Sequence, residues 1–164
     1  MNTIFTRVSI RQFEDRAVEP EKIEQILKAA MQAPSAGNQQ PWEFIVVTDK
    51  ETLKALSKVS PYAGPMANAP CAIVNVCNMD NCRFPECAST DMAIATEHEW
   101  LEATDLGLGG VWLGIYPLED RMNACQDVLH LEGNRSVFSL LPIGYPAQTR
   151  KPEDRFHPER ITYR

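Results

Sequence analysis

The sequence predicts a single mixed domain, α/β or α+β, in which a sheet of about four strands is covered by helices. Short β-branched runs alternate along the chain with segments whose apolar residues recur at helical spacing. The length of 164 residues matches one domain at roughly 100 to 200 residues per domain, and no repeat, low-complexity tract or linker divides it. With 44% hydrophobic and 23% charged residues the chain has a globular composition, so collagen, coiled coil and disorder lose support.

Pro20 stands at a helix start, and Ile23, Ile26, Leu27, Ala30 and Met31 share a face. Glu19 to Ala33 therefore reads as an amphipathic helix that Pro34 closes. The loop PSAGNQQPW follows, rich in turn formers, and its Trp42 reads as an apolar anchor for the next strand. EFIVVT, Glu43 to Thr48, is that strand, and Asp49 caps a short helix carrying Leu53 and Leu56. Beyond a stretch punctuated by Pro, Gly and Asn, CAIVNVC (71 to 77) is a second strand. Glu86 to Leu106 has no Pro or Gly, which predicts the longest helix, ended by Gly107. GGVWLGI (109 to 115) reads as a third strand, Pro117 starts a helix through Leu129, and SVFSLLPIG (136 to 144) is a fourth strand. The tail from Tyr145 is polar and irregular.

Sixteen basic against 22 acidic residues leave a net charge of −6, which argues against nucleic acid as a partner. The apolar runs fall far short of the ~20 residues a membrane helix requires, so no membrane association is expected. The first twenty residues carry Arg7, Arg11, Glu14, Asp15 and Arg16 in place of an apolar signal region. Five cysteines, an odd number without a secretory signal, favour reduced thiols, and a cytoplasmic location is expected.

The chain lacks G-x-x-x-x-G-K-[ST], G-x-G-x-x-G after a strand, H-E-x-x-H and G-x-S-x-G. His98, His130 and His157 lie far apart in no triad-like arrangement. An enzyme built this way would draw its reactive atoms from a cofactor. In TRVSIRQF, Arg7, Ser9 and Arg11 alternate, so an extended or irregular backbone turns all three to one side. Two forked guanidiniums and a hydroxyl suit phosphate oxygens. Taken alone, the segment reads more readily as a solvated surface with Arg7 and Arg11 paired to Glu14 or Asp15, since surface charge pairs are common.

Three segments together carry a sharper reading. TRVSIRQF, PSAGNQQPW some two dozen residues later, and LGLGGVWLGIYP at the end of the longest helix resemble, in order and spacing, the short single-domain members of the FMN-dependent nitroreductase family. The resemblance covers essentially the whole chain. It implies that residues 1–164 form one FMN-binding domain, an α+β fold with a central mixed sheet flanked by helices, and that a homodimer builds two-subunit flavin sites. It places Arg7, Ser9 and Arg11 at flavin-binding positions. Family members usually begin with Arg-Arg-Ser-x-Arg; here Val8 replaces the second Arg, leaving only a backbone contact.

The resemblance assigns Pro34, Ser35, Ala36 and Asn38 to flavin contact. The chemistry agrees, since a carboxamide such as that of Asn38 matches the ring's carbonyl and nitrogen edge and small residues permit close approach. It sets Leu113 and Gly114 beside flavin N5, and it makes Arg155 the best match to the last phosphate contact, with Arg150 and Lys151 as alternatives. The implied activity is that of an NAD(P)H-dependent FMN oxidoreductase. Hydride from NADH or NADPH passes through flavin N5 to a nitro, quinone or related small-molecule electron acceptor by ping-pong exchange, with no catalytic side chain. The alternative from the same fold is a flavin-binding carrier or sensor without turnover.

Cys77, Cys82 and Cys87 recur every five residues, with Cys71 just upstream and Cys125 remote. No C-x-x-C occurs, which leaves a zinc or thioredoxin-like site poorly supported, and the spacing only partly resembles an iron–sulfur pattern. Buried apolar thiols are the expected reading, with a cysteine-based metal or redox module as the lesser alternative. His98 and Glu102 are i and i+4, and the run Glu97, His98, Glu99 and Glu102 is expected on a helix surface.

Overall fold

In the computed structural model, which describes residues 3–164, a one-turn helix α1 (Thr3–Thr6) precedes the first long helix α2 (Pro20–Met31). There follow β1 (Trp42–Val47), α3 (Lys50–Leu56), β2 (Cys71–Asn78), α4 (Ala88–Asp105), β3 (Gly109–Gly110), β4 (Leu113–Gly114), α5 (Glu119–Leu129) and β5 (Arg135–Gly144). Met1 and Asn2, the first residues of the expected 1–164 domain, lie outside the described residues.

The expected punctuation operates at the helix ends. Pro20 opens α2, where its missing N–H costs nothing. Asp49 Oδ2 accepts from the backbone N–H and the hydroxyl of Thr52 at 2.8 and 2.7 Å, which fixes the start of α3. At the end of α4, Gly107 takes φ +78°. The N–H groups of Gly107 and Leu108 then return to the carbonyls of Thr104 (3.1 Å) and Ala103 (2.8 Å), satisfying two orphan acceptors.

The strands form one five-stranded sheet in the order β1-β2-β5-β3, with β4 also paired to β5. Every ladder is antiparallel, and the parallel component of the sheet is an isolated bridge between Ser9 and Gly110. The single strand expected over 109 to 115 is interrupted at Val111 and Trp112. The common register of β3 and β4 on β5 sets Val111 opposite Pro142, which has no N–H to offer the ladder. The double glycine serves close approach. A Cβ on Gly109 would stand 2.6 Å from the side chain of Ile10, whose N–H donates to the Gly110 carbonyl at 2.8 Å.

All eight residues of β2 are buried because both faces of the sheet are covered. Ala72, Val74 and Val76 pack with Leu53, Leu56, Cys125, Val137 and Leu140 on the α3 and α5 side. Cys71 and Ile73 pack with Ile26, Trp100, Ala103, Leu141 and Ile143 under α2 and α4. Trp42 is buried, as an anchor should be.

The expectation that the acidic run of α4 lies on a helix surface fails at Glu99, which is fully buried. Its Oε2 accepts from Asn75 Nδ2 at 3.0 Å, the same amide reaches Ser139 Oγ at 3.1 Å, and Thr96 Oγ1 lies 3.2 Å from that hydroxyl. Burial pushes the Glu99 carboxyl up to about 8, with the Asn75 hydrogen bond opposing the shift. His98 and Glu102 do not pair with each other; both turn to α2, where His98 Nδ1 lies 3.2 Å from the Ala29 carbonyl and Glu102 accepts from Gln25 at 2.6 Å.

Candidate functional site

After α1 the chain leaves the helix and pairs with the sheet at the Ser9–Gly110 bridge. This brings Arg7, Val8, Ser9 and Arg11 to one wall of a cleft of about 780 Å³. The tail segment from Arg150 to Phe156 lines the same cleft, so Arg150, Lys151 and Arg155 join the N-terminal cations, with Glu153 and Asp154 among them. Arg155 is exposed and paired with Glu153 at 3.3 Å. Arg11 is exposed and makes no ion pair among the described residues.

Arg7 is a different kind of cation. Its guanidinium lies 3.9 Å over the ring of Trp100, its side chain is only 14% exposed, and its Nε stands 3.9 Å from Glu97 Oε1. Trp100 is itself held by an Nε1–H bond of 3.1 Å to the Gly110 carbonyl. Burial pushes the Glu97 carboxyl up, and the Arg7 charge partly offsets it. The Arg7 Nη1 is buried with no hydrogen-bond partner among the described residues. Neither Arg7 nor Arg11 pairs with Glu14 or Asp15, so the solvated-pair reading of this segment does not hold.

The loop after α2 is set by a buried clamp. Asp91, 3% exposed, accepts from the Ala36 N–H at 3.0 Å and from Gln39 Nε2 at 2.6 Å. Gln39 also exchanges hydrogen bonds with the backbone N–H and carbonyl of Phe84, at 2.8 and 3.1 Å. Ala36–Asn38 makes one tight 3-10 turn, with Gly37 and Asn38 at φ +55° and +56°. Ser35 Oγ accepts from the Gln40 N–H, and Asn38 Oδ1 accepts from Gln40 Nε2.

On β4, the Leu113 side chain is buried in the core. Gly114 is exposed with open space where a side chain would stand, and its carbonyl accepts from Arg121 Nη1 at 3.0 Å. The chain thus gathers Arg7, Val8, Ser9, Arg11, Arg150, Lys151 and Arg155 on one cleft. Pro34, Ser35, Ala36, Asn38 and Gly114 lie outside that cleft, and Leu113 is in the core.

Trp100, Asp91, Gln39 and Phe84 carry no signal of a site in the sequence, and Glu97, expected on a helix surface, instead stands beside Arg7. Glu97 and Trp100 lie one helical turn apart on α4, a spacing that puts them on one face, but which face meets Arg7 depends on tertiary packing. All five cysteines are free thiols, with Cys71, Cys77 and Cys125 buried. Among the described residues no group of three His, Cys, Asp or Glu side chains is set to hold a metal, and no helix is long and apolar enough to cross a membrane.

The sequence profile of the nitroreductase family matches residues 4–63 and 61–145. A relative from Archaeoglobus fulgidus, provisionally named an NADH dehydrogenase/NAD(P)H nitroreductase, is 45% identical over 98% of this chain and 95% of its own length. The crystal structure of a protein provisionally named an NADH oxidase, from Clostridium acetobutylicum, superposes with a TM-score of 0.95 at 45% identity, covering 98% of this chain and 97% of that one. An FMN-dependent nitroreductase from Clostridium difficile superposes with a TM-score of 0.92 at 30% identity, covering 99% and 97%. The match spans the Arg7 segment, the clamped 34–40 loop and the strands that carry Gly110 and Gly114, and by it this chain belongs to the nitroreductase family.

Proposed function

We propose that the chain is an NAD(P)H-dependent FMN oxidoreductase acting on a nitro, quinone or related electrophile, and that residues 1–164 form one flavin-binding domain of a homodimer. The observation that carries the reading is the cationic cleft. Arg7 is held by Trp100 and Glu97 yet keeps a buried donor that its own chain does not satisfy. An unsatisfied charged donor costs more than the roughly 1–3 kcal/mol of a neutral one, so an anion that completes the cluster stabilises it. A phosphate monoester is the anion whose chemistry suits the donors lining the cleft: the guanidinium of Arg7, the hydroxyl of Ser9, and the exposed guanidiniums of Arg11 and Arg155.

When bound, FMN supplies a ring nitrogen, N5, that takes hydride from NADH or NADPH and yields it to the acceptor in a ping-pong exchange. The chain's own residues position and stabilise. Asp91 and Gln39 hold the 35–39 backbone, which would present Ser35, Ala36 and Asn38 to the ring edge. Gly114 leaves room against the backbone, and Arg121 fixes the orientation of its carbonyl and so of the adjoining peptide.

The residues assigned to the ring lie outside the phosphate cleft of their own chain, which favours sites completed by a second copy. The tail supports this. Every residue from Arg150 to Arg164 is exposed, including Phe156, Ile161 and Tyr163, and Ile4 and Phe5 are exposed beside the cleft. Apolar side chains uncovered by their own chain suit coverage by a partner.

The test is to extract and weigh the cofactor, then add NADH anaerobically. FMN at about one per chain, bleaching by NADH and acceptor-dependent recovery of colour are expected. FAD, or no flavin even after incubation with FMN, would overturn the cofactor assignment, and FMN that NADH cannot bleach would favour the carrier.

A further inference from the structure

We propose that Cys77, Met79 and Cys82 form a binding site for one soft monovalent cation of the copper(I) type, independent of the flavin reading. The three sulfurs are brought together by a preformed turn at the end of β2. Asn78 Oδ1 accepts from the Asp80 N–H at 3.0 Å, and the Cys82 N–H donates to the Met79 carbonyl at 3.1 Å, folding the chain back on itself. Met79 Sδ then lies 3.7 Å from Cys77 Sγ and 3.9 Å from Cys82 Sγ, and the two thiols interact with each other. At a metal–sulfur bond of about 2.3 Å, three sulfurs around a trigonal centre stand about 4 Å apart. The triangle already has that size.

The donor set selects the ion. Two thiolates and a thioether are soft, and among the described residues no imidazole or carboxylate completes a harder set, so copper(I) or silver(I) fits where zinc, which takes four N, O or thiolate donors, does not. Cys77 and Met79 face a small cavity of about 80 Å³ whose other walls include Tyr116 and Phe138, while Met79 and Cys82 are partly exposed and give an entry path. Binding displaces the two thiol protons to solvent and leaves a cation with two thiolates. A peroxide-sensing thiol pair is the weaker use of the same atoms. Met79 Sδ is in contact with both thiols, and a thioether takes no part in thiol–disulfide exchange, whereas it is a ready donor to a soft cation.

The test titrates copper(I) anaerobically into the full-length, flavin-loaded protein against a chromophoric chelator, with stoichiometry by native mass spectrometry and sulfur distances by X-ray absorption. One copper(I) per chain with three sulfur neighbours is expected. Cys82→Ser should lower the affinity at least a hundredfold and Met79→Leu at least fivefold, both at partly exposed positions that preserve the fold, and Cys125→Ser should leave it unchanged. Cys82→Ser should also leave anaerobic bleaching by NADH intact, which separates this site from the flavin chemistry. Copper(I) binding that survives Cys82→Ser or Met79→Leu, or equal uptake of zinc(II), would overturn the assignment.

Discussion

Glu99→Gln should stabilise the protein at neutral pH and remove a pH dependence that Glu99 imposes. The wild-type carboxyl is fully buried between α4 and the sheet, and its Oε1 and the Asn75 Oδ1 both lack partners among the described residues. Burial penalises the ionised form there, so its affinity for a proton rises from the ordinary 4.5 to about 8. Below pH 4.5 the folded and unfolded states both hold the proton, and the full contribution is present. As pH rises, the unfolded state releases its proton first, and stability falls by about 1.4 kcal/mol per pH unit until the folded carboxyl also ionises near pH 8. The total is about 5 kcal/mol, of which about 3 to 4 kcal/mol is lost between pH 5 and pH 8. Glutamine keeps the shape, accepts from Asn75 and never ionises. The difference in unfolding free energy between variant and wild type, from urea denaturation at saturating FMN and fixed protein concentration, should therefore grow by that amount over the same range. Other titrating groups cancel in the difference. A difference flat with pH would mean that Glu99 titrates alike in both states, which would refute the burial argument.

Arg11→Ala should weaken FMN at least tenfold, since losing a charge-assisted contact costs about 1.5 to 3 kcal/mol; flavin fluorescence quenching measures it, and unchanged affinity would reduce Arg11 to surface charge. Mixing Arg11→Ala and Asn38→Ala variants, at an FMN concentration too low to load either alone and under conditions that exchange subunits, should restore part of the activity, because a mixed dimer carries one site with both lesions and one with neither. No recovery would place both residues in the same chain's site. Gly37→Ala should cost at least about 1–2 kcal/mol, since its φ is +55° and a Cβ would also stand 2.5 Å from the Phe84 ring; an unchanged denaturation midpoint would mean that the loop leaves the left-handed conformation without loss.

The helices and long strands were legible because their signals are local. Pro20, Asp49 and Gly107 act within a turn of where they stand, and the β-branched runs of β1, β2 and β5 need no knowledge of their partners. The interruption at Val111 was not legible, because it comes from Pro142, some thirty residues later, landing opposite it in the register. The burial of Glu99 was hidden for the same reason. Its pattern on α4 is that of a charged face, and only the arrival of Asn75 and Ser139 from two different strands gives the carboxyl a polar partner inside the core. At the site, the alternation of Arg7, Ser9 and Arg11 was readable as chemistry, whereas the Trp100 ring beneath Arg7 belongs to a contact across most of the chain.

The same distinction bears on why the candidate site looks unfinished in one chain. Local rules supply each half: an extended cationic segment at the N-terminus, and a tight turn at 36–38 clamped by Asp91. Nothing local can bring the halves face to face, and the tail that walls the cleft is exposed along its whole length from Arg150 to Arg164. A segment of that length held open to water gains little from its own domain, so its ordering must be repaid by burial against something else. Under the proposed arrangement that partner is a second copy, and two equivalent sites arise from one isologous contact. Cofactor and dimer then stabilise each other, because FMN binds only where both halves are present, and the thermal midpoint should rise with protein concentration more steeply in the absence of FMN than at saturation.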